Sequence, residues 1–318
     1  MSGGIAKAFA PATVANVAVG FDLLGFPICS LGDEVTVKRV SQPGVRLESI
    51  VTMDGSDIPL RPEVNTATVP LLRMIEELNL PFGFQVSIKK GIPLGSGLGG
   101  SAASAVAAVK AASAVLDRPL NESQLIDFAL EGEAVASGAR HGDNVVPCFL
   151  GGMRLVRSVG IFGEGIDTCS IPVPKEVICV VVHPHLKINT KEARGILKEE
   201  VKLKDHVRQS SNLGGLIVGC FREDYRLIRE SLSDVLIEPQ RARLIPGFFE
   251  AKKAALSLGV LGFSISGSGP TVFAWVRSDD AAKKVSAAVV ESFRRSGLEA
   301  DSWISPVSVE GARVLGGE

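Results

Sequence analysis

Four Gly and two Ser fall within seven positions of this 318-residue chain, Gly95-Ser-Gly-Leu-Gly-Gly-Ser101. Backbone N–H groups that converge on an anion need this composition, because Gly makes the required turns without steric cost. Upstream, residues 84–90 alternate Phe84, Val86 and Ile88 with Gln85, Ser87 and Lys89, which predicts a strand. Downstream, residues 101–116 hold eight Ala and no Gly or Pro, which predicts a helix. A Gly-rich loop joining a strand to a helix N-terminus adds the helix dipole to its N–H groups, so the chemistry it predicts is phosphate binding. A Walker A loop is excluded, because no Lys lies between Lys90 and Lys110. Gly95, Gly97 and Gly100 satisfy G-x-G-x-x-G, but a dinucleotide fold also needs an acidic residue closing a second strand. The candidate, Asp117, follows the helix and precedes Arg118-Pro119.

Other residues carry chemistry of their own. Glu131 and Glu133 come just before a polar cluster of Arg140, His141, Asp143 and Asn144, and one of the two glutamates is a candidate metal ligand. Asn16 and Asp22 interrupt an apolar, Gly-punctuated stretch and read equally as turn formers and as site residues. His183 and His185 have no third metal ligand nearby, which favours a loop reading over a metal site. A second Gly/Ser loop, Ser266-Gly-Ser-Gly-Pro270, lies in the C-terminal half.

The elements that must position these groups follow from pattern. Residues 6–16 predict an edge strand broken at Pro11. Residues 34–40 and 45–51 predict strands paired across Gln42-Pro43-Gly44. Residues 65–78, 121–137, 205–221, 224–232, 248–258 and 280–296 predict helices, with Asn121 and Thr190 as N-caps. Residues 177–182, 260–264, 271–276 and 302–309 predict strands of the second half. A Gly- and Pro-rich stretch at 160–174 separates the halves, giving expected domains of residues 1–165 and 166–318. Each half mixes strands and helices without a strict alternation, which predicts α+β, with the two Gly/Ser loops facing a shared cleft.

Composition bounds the partners. The chain is 46% hydrophobic and 22% charged with a net charge of −1, so no broad electrostatic case exists for nucleic acid or an anionic membrane. No apolar run reaches membrane-spanning length, and the Met1-Ser-Gly-Gly start lacks a basic-then-apolar leader. Five scattered Cys, never in C-x-x-C spacing, suit a reducing cytoplasm and no zinc site.

Three stretches together resemble the motifs of the GHMP kinases, a family of small-molecule kinases. They are Pro11-Ala-Thr-Val-Ala-Asn-Val-Ala-Val-Gly-Phe-Asp, Pro93-Leu-Gly-Ser-Gly-Leu-Gly-Gly-Ser-Ala and Ile265-Ser-Gly-Ser-Gly-Pro-Thr, in family order. Val17-Ala-Val-Gly-Phe-Asp-Leu-Leu-Gly, His141-Gly-Asp-Asn-Val-Val-Pro-Cys-Phe-Leu-Gly-Gly, Thr190-Lys-Glu-Ala-Arg and Glu238-Pro-Gln-Arg-Ala-Arg-Leu-Ile-Pro-Gly-Phe are similar to the members that phosphorylate L-homoserine. The resemblance spans residues 6–276 and is loose beyond. It implies a two-domain α+β fold, with an N-terminal domain like ribosomal protein S5 domain 2 and a ferredoxin-like C-terminal domain. It further implies a homodimer, ATP and Mg²⁺ dependence, and phosphorylation of the hydroxyl of L-homoserine for threonine synthesis.

Residue by residue, the resemblance places ATP on Asn65, Lys90, Pro93, Leu94, Gly95, Ser96, Gly97, Leu98, Gly99, Gly100, Ser101 and Ala102, with Ser101 and Glu133 as magnesium ligands. Arg194 and Arg241 match the Arg positions that suit the substrate carboxylate, and Asp22 suits its ammonium. Asn16, His141 and Thr190 match other substrate contacts. Asp143, Asn144 and Arg194 are the candidates for catalytic work. The catalytic Asp of mevalonate kinase-like relatives aligns between Asp143 and Asn144, and with Asn144 in that place the enzyme would rely on positioning instead of a strong base. Gly100 stands where many relatives carry Ser, which removes one hydroxyl near the phosphates. Two further readings remain open: a kinase for another small alcohol such as mevalonate or shikimate, and a non-catalytic sensor on the same scaffold.

Overall fold

The computed structural model describes residues 4–159, 165–307 and 310–317. Its first sheet contains β1 (Ile5–Ala15), β2 (Leu24–Val40), β3 (Gly44–Thr52), β4 (Gly83–Lys90), β5 (Met153–Val159) and β6 (Gly165–Ile171). Its second contains β7 (Ile178–Pro184), β8 (Gly262–Ile265), β9 (Val272–Val276) and β10 (Ala300–Pro306), and β11 (Arg313–Gly317) returns to the first. The strand orders are β11-β1-β2-β4-β3, with β5 pairing β2 and β6, and β10-β7-β9-β8.

Small side chains set the first layer. Ala6, Ala8, Ala10 and Ala12 are buried along β1, beneath the Ala-rich helix α2 (Gly100–Ser113). Neither surface carries bulk, so helix and sheet approach closely and the loop entering α2 is carried down onto β1. The helices α1 (Val69–Glu77) and α3 (Glu122–Ser137) pack beside α2, and Asn121 closes a capping box with Gln124. The helix α4 (Gly142–Leu150) packs on β1 and β2 beside α2.

In the second layer, β7 is buried on both faces. Cys179 and Val181 face the main core, where Phe273 and Trp275 meet Phe26 of β2 at ring distances of 6.3 and 5.7 Å. Val180 and Val182 face the opposite core. The remaining helices are α5 (Thr190–Gly195), α6 (Leu203–Arg222), α7 (Tyr225–Ser231), α8 (Glu238–Arg241), α9 (Phe248–Ser257) and α10 (Asp279–Arg295). Leu216 of α6 and Ile228 of α7 join the core shared with the first sheet, while Phe248 of α9 and Phe293 of α10 fill the second. The period-two alternation of the β7 run therefore sorts its residues between two cores.

Several expectations change. The first strand is not an edge: it lies between β11 and β2, and Pro11 sits at a register shift in the β1–β2 ladder. β2 and β3 are not partners. β4 lies between them, antiparallel to β2 and parallel to β3. Phe84, Val86 and Ile88 of β4 are all buried, so β4 takes the inner place, while β3, carrying Arg46, Glu48 and an exposed Val51, takes the edge. Sheet membership moves the expected division at residues 165 and 166, because β6 and β11 both belong to the first sheet. Part of the 160–174 stretch and the end of the 302–309 strand lie outside the described residues.

A buried charge holds the loop ends. Asp33 of β2 has no exposed surface. Its carboxylate accepts from the N–H groups of Gly91 (3.0 Å) and Ile92 (3.2 Å), from the Ser104 hydroxyl (2.7 Å), and from the Lys90 ammonium. Lys90 also donates to the Gly100 carbonyl (2.7 Å) and to Ser104 Oγ (2.8 Å). Lys90→Met leaves Asp33 buried and unpaired, and its expected cost is about 3–5 kcal/mol. Lys90→Met combined with Asp33→Leu recovers part of that loss. Chemical denaturation of the two variants checks this; a single variant as stable as the parent would refute it.

Candidate active site

The phosphate loop keeps its shape through alternating backbone hand. Gly95, Gly97 and Gly99 have φ of 66°, 77° and 66°, while the residues between them do not enter the left-handed region. Alternation of this kind turns successive N–H groups toward one concavity. The loop ends at the N-terminus of α2. Gly97 also lies against the second Gly/Ser loop, and a Cβ there would stand 2.6 Å from the carbonyls of Ser266 and Gly269.

The two loops are directly bonded. Ser266 Oγ donates to the Gly97 carbonyl (2.8 Å), and the Thr271 N–H donates to the Ser96 carbonyl (3.2 Å). Thr271 Oγ1 lies 3.1 Å from His183 Nδ1. His183 sits in β7 and not in a loop, is 5% exposed, and has its pKa pushed down to about 4 by burial and by His185. His185 pairs with Asp301 instead (2.9 Å).

Two pockets meet at this seam. The larger is lined by Asn65, Lys90, Pro93, Leu94, Gly95, Ser96, Gly97, Gly99, Gly100 and Ser101, and also by apolar Ile50, Ile58 and Val64. The smaller is lined by Asn16, Asp22, His141, Asp143, Arg194 and Arg241. Glu133, Asn144, Thr190, Gly267 and Ser268 line both.

The structure therefore gathers nearly all the residues expected from sequence. Leu98 and Ala102 are exceptions: both side chains have no exposed surface and belong to the core. An apolar side chain in a Gly loop turns inward, and the second expected helix residue faces the sheet. Lys90 borders the pocket, but Asp33, Gly100 and Ser104 use all three of its ammonium donors. At Gly100 an added Cβ meets only Ile92 and Lys90 at 3.4 Å or more, so nothing here forbids a side chain.

The smaller pocket is built around one turn. Asn16, Val17, Ala18 and Asp22 all have positive φ, between 43° and 68°. A β-branched residue such as Val17 is held there only by its surroundings. Asn16 supplies part of that hold: its amide donates to the Gly267 carbonyl (2.9 Å) and accepts from the Asp22 N–H (3.1 Å). Thr190 is not the cap of α5; Asn189 accepts from the Lys191 N–H (2.8 Å), and the Thr190 hydroxyl lies 3.4 Å from Ser268 Oγ.

The charges in this pocket are unequally matched. Arg194 grips Asp22 with two bonds of 3.0 and 2.9 Å, so Asp22 has a cation from its own chain, contrary to expectation. That bond raises the Arg194 pKa. Arg241 is 3% exposed and donates only to the carbonyls of Ala193 (3.2 Å) and Gly267 (2.8 Å); it forms no ion pair among the described residues. Burial, then Arg194, pushes its pKa down to about 10. Asp143 is 4% exposed, and burial, then Asp22, holds its pKa up to about 7. Burial, then Arg194, lowers the His141 pKa against the opposing pull of Asp22. The buried atoms His141 Nε2 and Arg194 Nε have no hydrogen-bond partner among the described residues.

Sequence reasoning missed four contributors. Asp33 is one acid in an alternating strand, and Thr13 is one polar residue in an Ala-Val stretch. Phe21 lies 5.3 Å and 5.1 Å from the guanidiniums of Arg194 and Arg241. Ser268 joins both pockets, and its signal was the second Gly/Ser loop itself.

The arrangement is a Gly-rich loop at a helix N-terminus beside a pocket of mixed charge, joined where Glu133 and Asn144 stand. Known proteins share it. The description "GHMP kinases N terminal domain" matches residues 65–152, and "GHMP kinases C terminal" matches residues 216–295. A homoserine kinase of Xylella fastidiosa (strain M12) is 49% identical over 98% of this chain and 94% of its own. One from Chloroherpeton thalassium is 44% identical over 96% and 98%. The crystal structure of homoserine kinase from Cytophaga hutchinsonii superposes with a TM-score of 0.92 at 43% identity, covering 98% of this chain and 97% of that one. With both halves of the family pattern matched and similarity running through nearly the whole length, the chain belongs to the GHMP kinase family.

Proposed function

We propose that the chain transfers the γ-phosphoryl group of ATP to the side-chain hydroxyl of L-homoserine, giving O-phospho-L-homoserine for threonine synthesis, as a cytoplasmic homodimer. The observation that carries the reading is Arg241, a buried cation without a carboxylate partner among the described residues, in a pocket that also holds Asp22 and opens on the phosphate loop. A buried charge left unpaired is costly, so this pocket suits a ligand carboxylate. The unpartnered Nε of Arg194 offers a second donor while its fork stays on Asp22. Asp22 then shares its negative charge with the ligand ammonium.

The larger pocket takes ATP, its phosphates against the N–H groups of the Gly loop and its base toward Ile50, Ile58 and Val64. Ser101 and Glu133 are the residues that would hold Mg²⁺. Both offer hard oxygens on one wall, and the set is short enough for phosphate oxygens and water to complete the shell. When bound, the ion neutralises charge on the phosphates. The ligand hydroxyl oxygen attacks the γ-phosphorus, the bond to the β,γ-bridging oxygen breaks, and its electron pair leaves on ADP. The hydroxyl proton passes to a phosphoryl oxygen and on to solvent. Asn144 stands at the meeting of the pockets and Asp143 lines the smaller one, where both help position the alcohol, and the reaction draws mainly on positioning and charge neutralisation.

ADP release with a panel of alcohols tests the substrate. L-homoserine is expected to be used in preference to mevalonate and shikimate. 4-Hydroxybutyrate, lacking the amine, and homoserinol, lacking the carboxylate, are expected to fall about 30- to several-thousand-fold in kcat/KM. Either analogue used as well as L-homoserine would overturn the two-charge pocket.

Ser101→Ala and Glu133→Gln are each expected to lower kcat by about 10² or more with little change in Tm. Wild-type turnover in both would remove them from the site.

The pKa of Asp143 gives a pH dependence. Its folded value of about 7 lies above the ordinary 3.8, so its contribution to stability is complete below about pH 4 and is lost as pH rises through 7. Asp143→Asn removes that loss. In the absence of ligands, the variant is expected to melt several degrees above the parent at pH 8.5, by less at pH 5 and not at pH 3, at about 2–4 °C per kcal/mol. An identical pH trend in both proteins, followed by calorimetry, would contradict the assignment.

A further inference from the structure

We propose that Thr13 is a positioning residue for phosphoryl transfer, fixing which end of the Asn144 amide faces the reacting groups. The proposal rests on the kinase reading above.

Thr13 belongs to β1, in a stretch otherwise of Ala, Pro and Val, and has no exposed surface. Its hydroxyl donates to Asn144 Oδ1 at 2.6 Å. Its N–H donates to the Leu98 carbonyl at 3.0 Å, so the same residue holds the phosphate loop. The fit is closed on the third side by Gly99, where a Cβ would stand 2.0 Å from Thr13 Oγ1 and 2.7 Å from Asn144 Oδ1. Strand, loop and the first turn of α4 thus converge on one amide oxygen.

A threonine hydroxyl has one proton to give, and an amide has an acceptor end and a donor end. With the proton of Thr13 on Oδ1, the acceptor end is turned into the sheet and the NH₂ end is left to the place where the two pockets meet. The contact of that NH₂ with Asp143 Oδ1, at 3.5 Å, is too long to hold it strongly. An NH₂ group cannot accept a proton. In this orientation Asn144 donates to the attacking or the transferred oxygen, and the Thr13 bond holds the amide in it. Packing alone does not explain the hydroxyl, because Val has the same branched shape and no polar group to bury.

The test is steady-state kinetics of Thr13→Val and Thr13→Ser, each alone and in an Asn144→Ala background, varying nucleotide and alcohol separately. Thr13→Val is expected to lower kcat about 10- to 100-fold, the scale seen when hydrogen bonds that orient a reacting group are lost, with both KM values within about 3-fold. Thr13→Ser is expected to restore most of the loss. In the Asn144→Ala background Thr13→Val is expected to change kcat less than about 2-fold, because the amide it orients is gone. Wild-type kcat in Thr13→Val, or the same loss in both backgrounds, would overturn the proposal. If Thr13→Val does not fold, Thr13→Ala is read by the same criteria. The series is run on whichever alcohol the parent uses best, so another preferred alcohol would refute the homoserine reading and leave this test standing.

Discussion

A carboxylate with no exposed surface sets the geometry on which the site depends. Asp33 binds both the entry of the phosphate loop, at Gly91 and Ile92, and the first turns of the helix that leaves it, through Ser104 and Lys90. A Gly-rich loop has much backbone freedom to lose, and that freedom weakens any site made of its N–H groups. Fixing the two ends at a single charge shortens the free span and leaves only the alternating glycines between them. The Lys that sequence would assign to the phosphates belongs to this anchor, where it neutralises Asp33 and satisfies the Gly100 carbonyl.

The second constraint is the seam between the two sheets. The Gly97 carbonyl accepts from Ser266, Gly267 donates to the Ala15 carbonyl, and Asn16 reaches back to Gly267. Neither loop completes a pocket alone, and each pocket uses Gly267 and Ser268 from one half and Glu133 and Asn144 from the other. The packing of Phe26 on Phe273 and Trp275 behind the seam makes this contact part of a hydrophobic core. The site is therefore held by the interior of the protein as well as by its surface loops.

Charge in the smaller pocket is unevenly matched within the chain. Asp22 and Arg194 neutralise each other. Arg241 is left with carbonyl dipoles only, and Asp143 responds to the same low-dielectric setting by holding its proton more tightly.

The sequence alone determined the family and the local elements that carry its motifs, because loop composition, strand alternation and helix capping are local. Gly95 to Ser101 required a loop with left-handed turns, residues 84–90 required a strand before it, and Asn121 with Gln124 specified a helix start. Partnership across the chain was not legible, since it depends on which strands bury both faces. Only the tertiary structure placed β4 between β2 and β3 and returned β11 to the first sheet. It alone paired Asp22 with Arg194, gave Lys90 to Asp33, and set Thr13 against Asn144 across 131 positions. Nothing local distinguishes Asp33 or Thr13 from ordinary strand residues. Their roles arise where burial removes water and leaves a carboxylate or an amide to be satisfied by whatever the fold brings near.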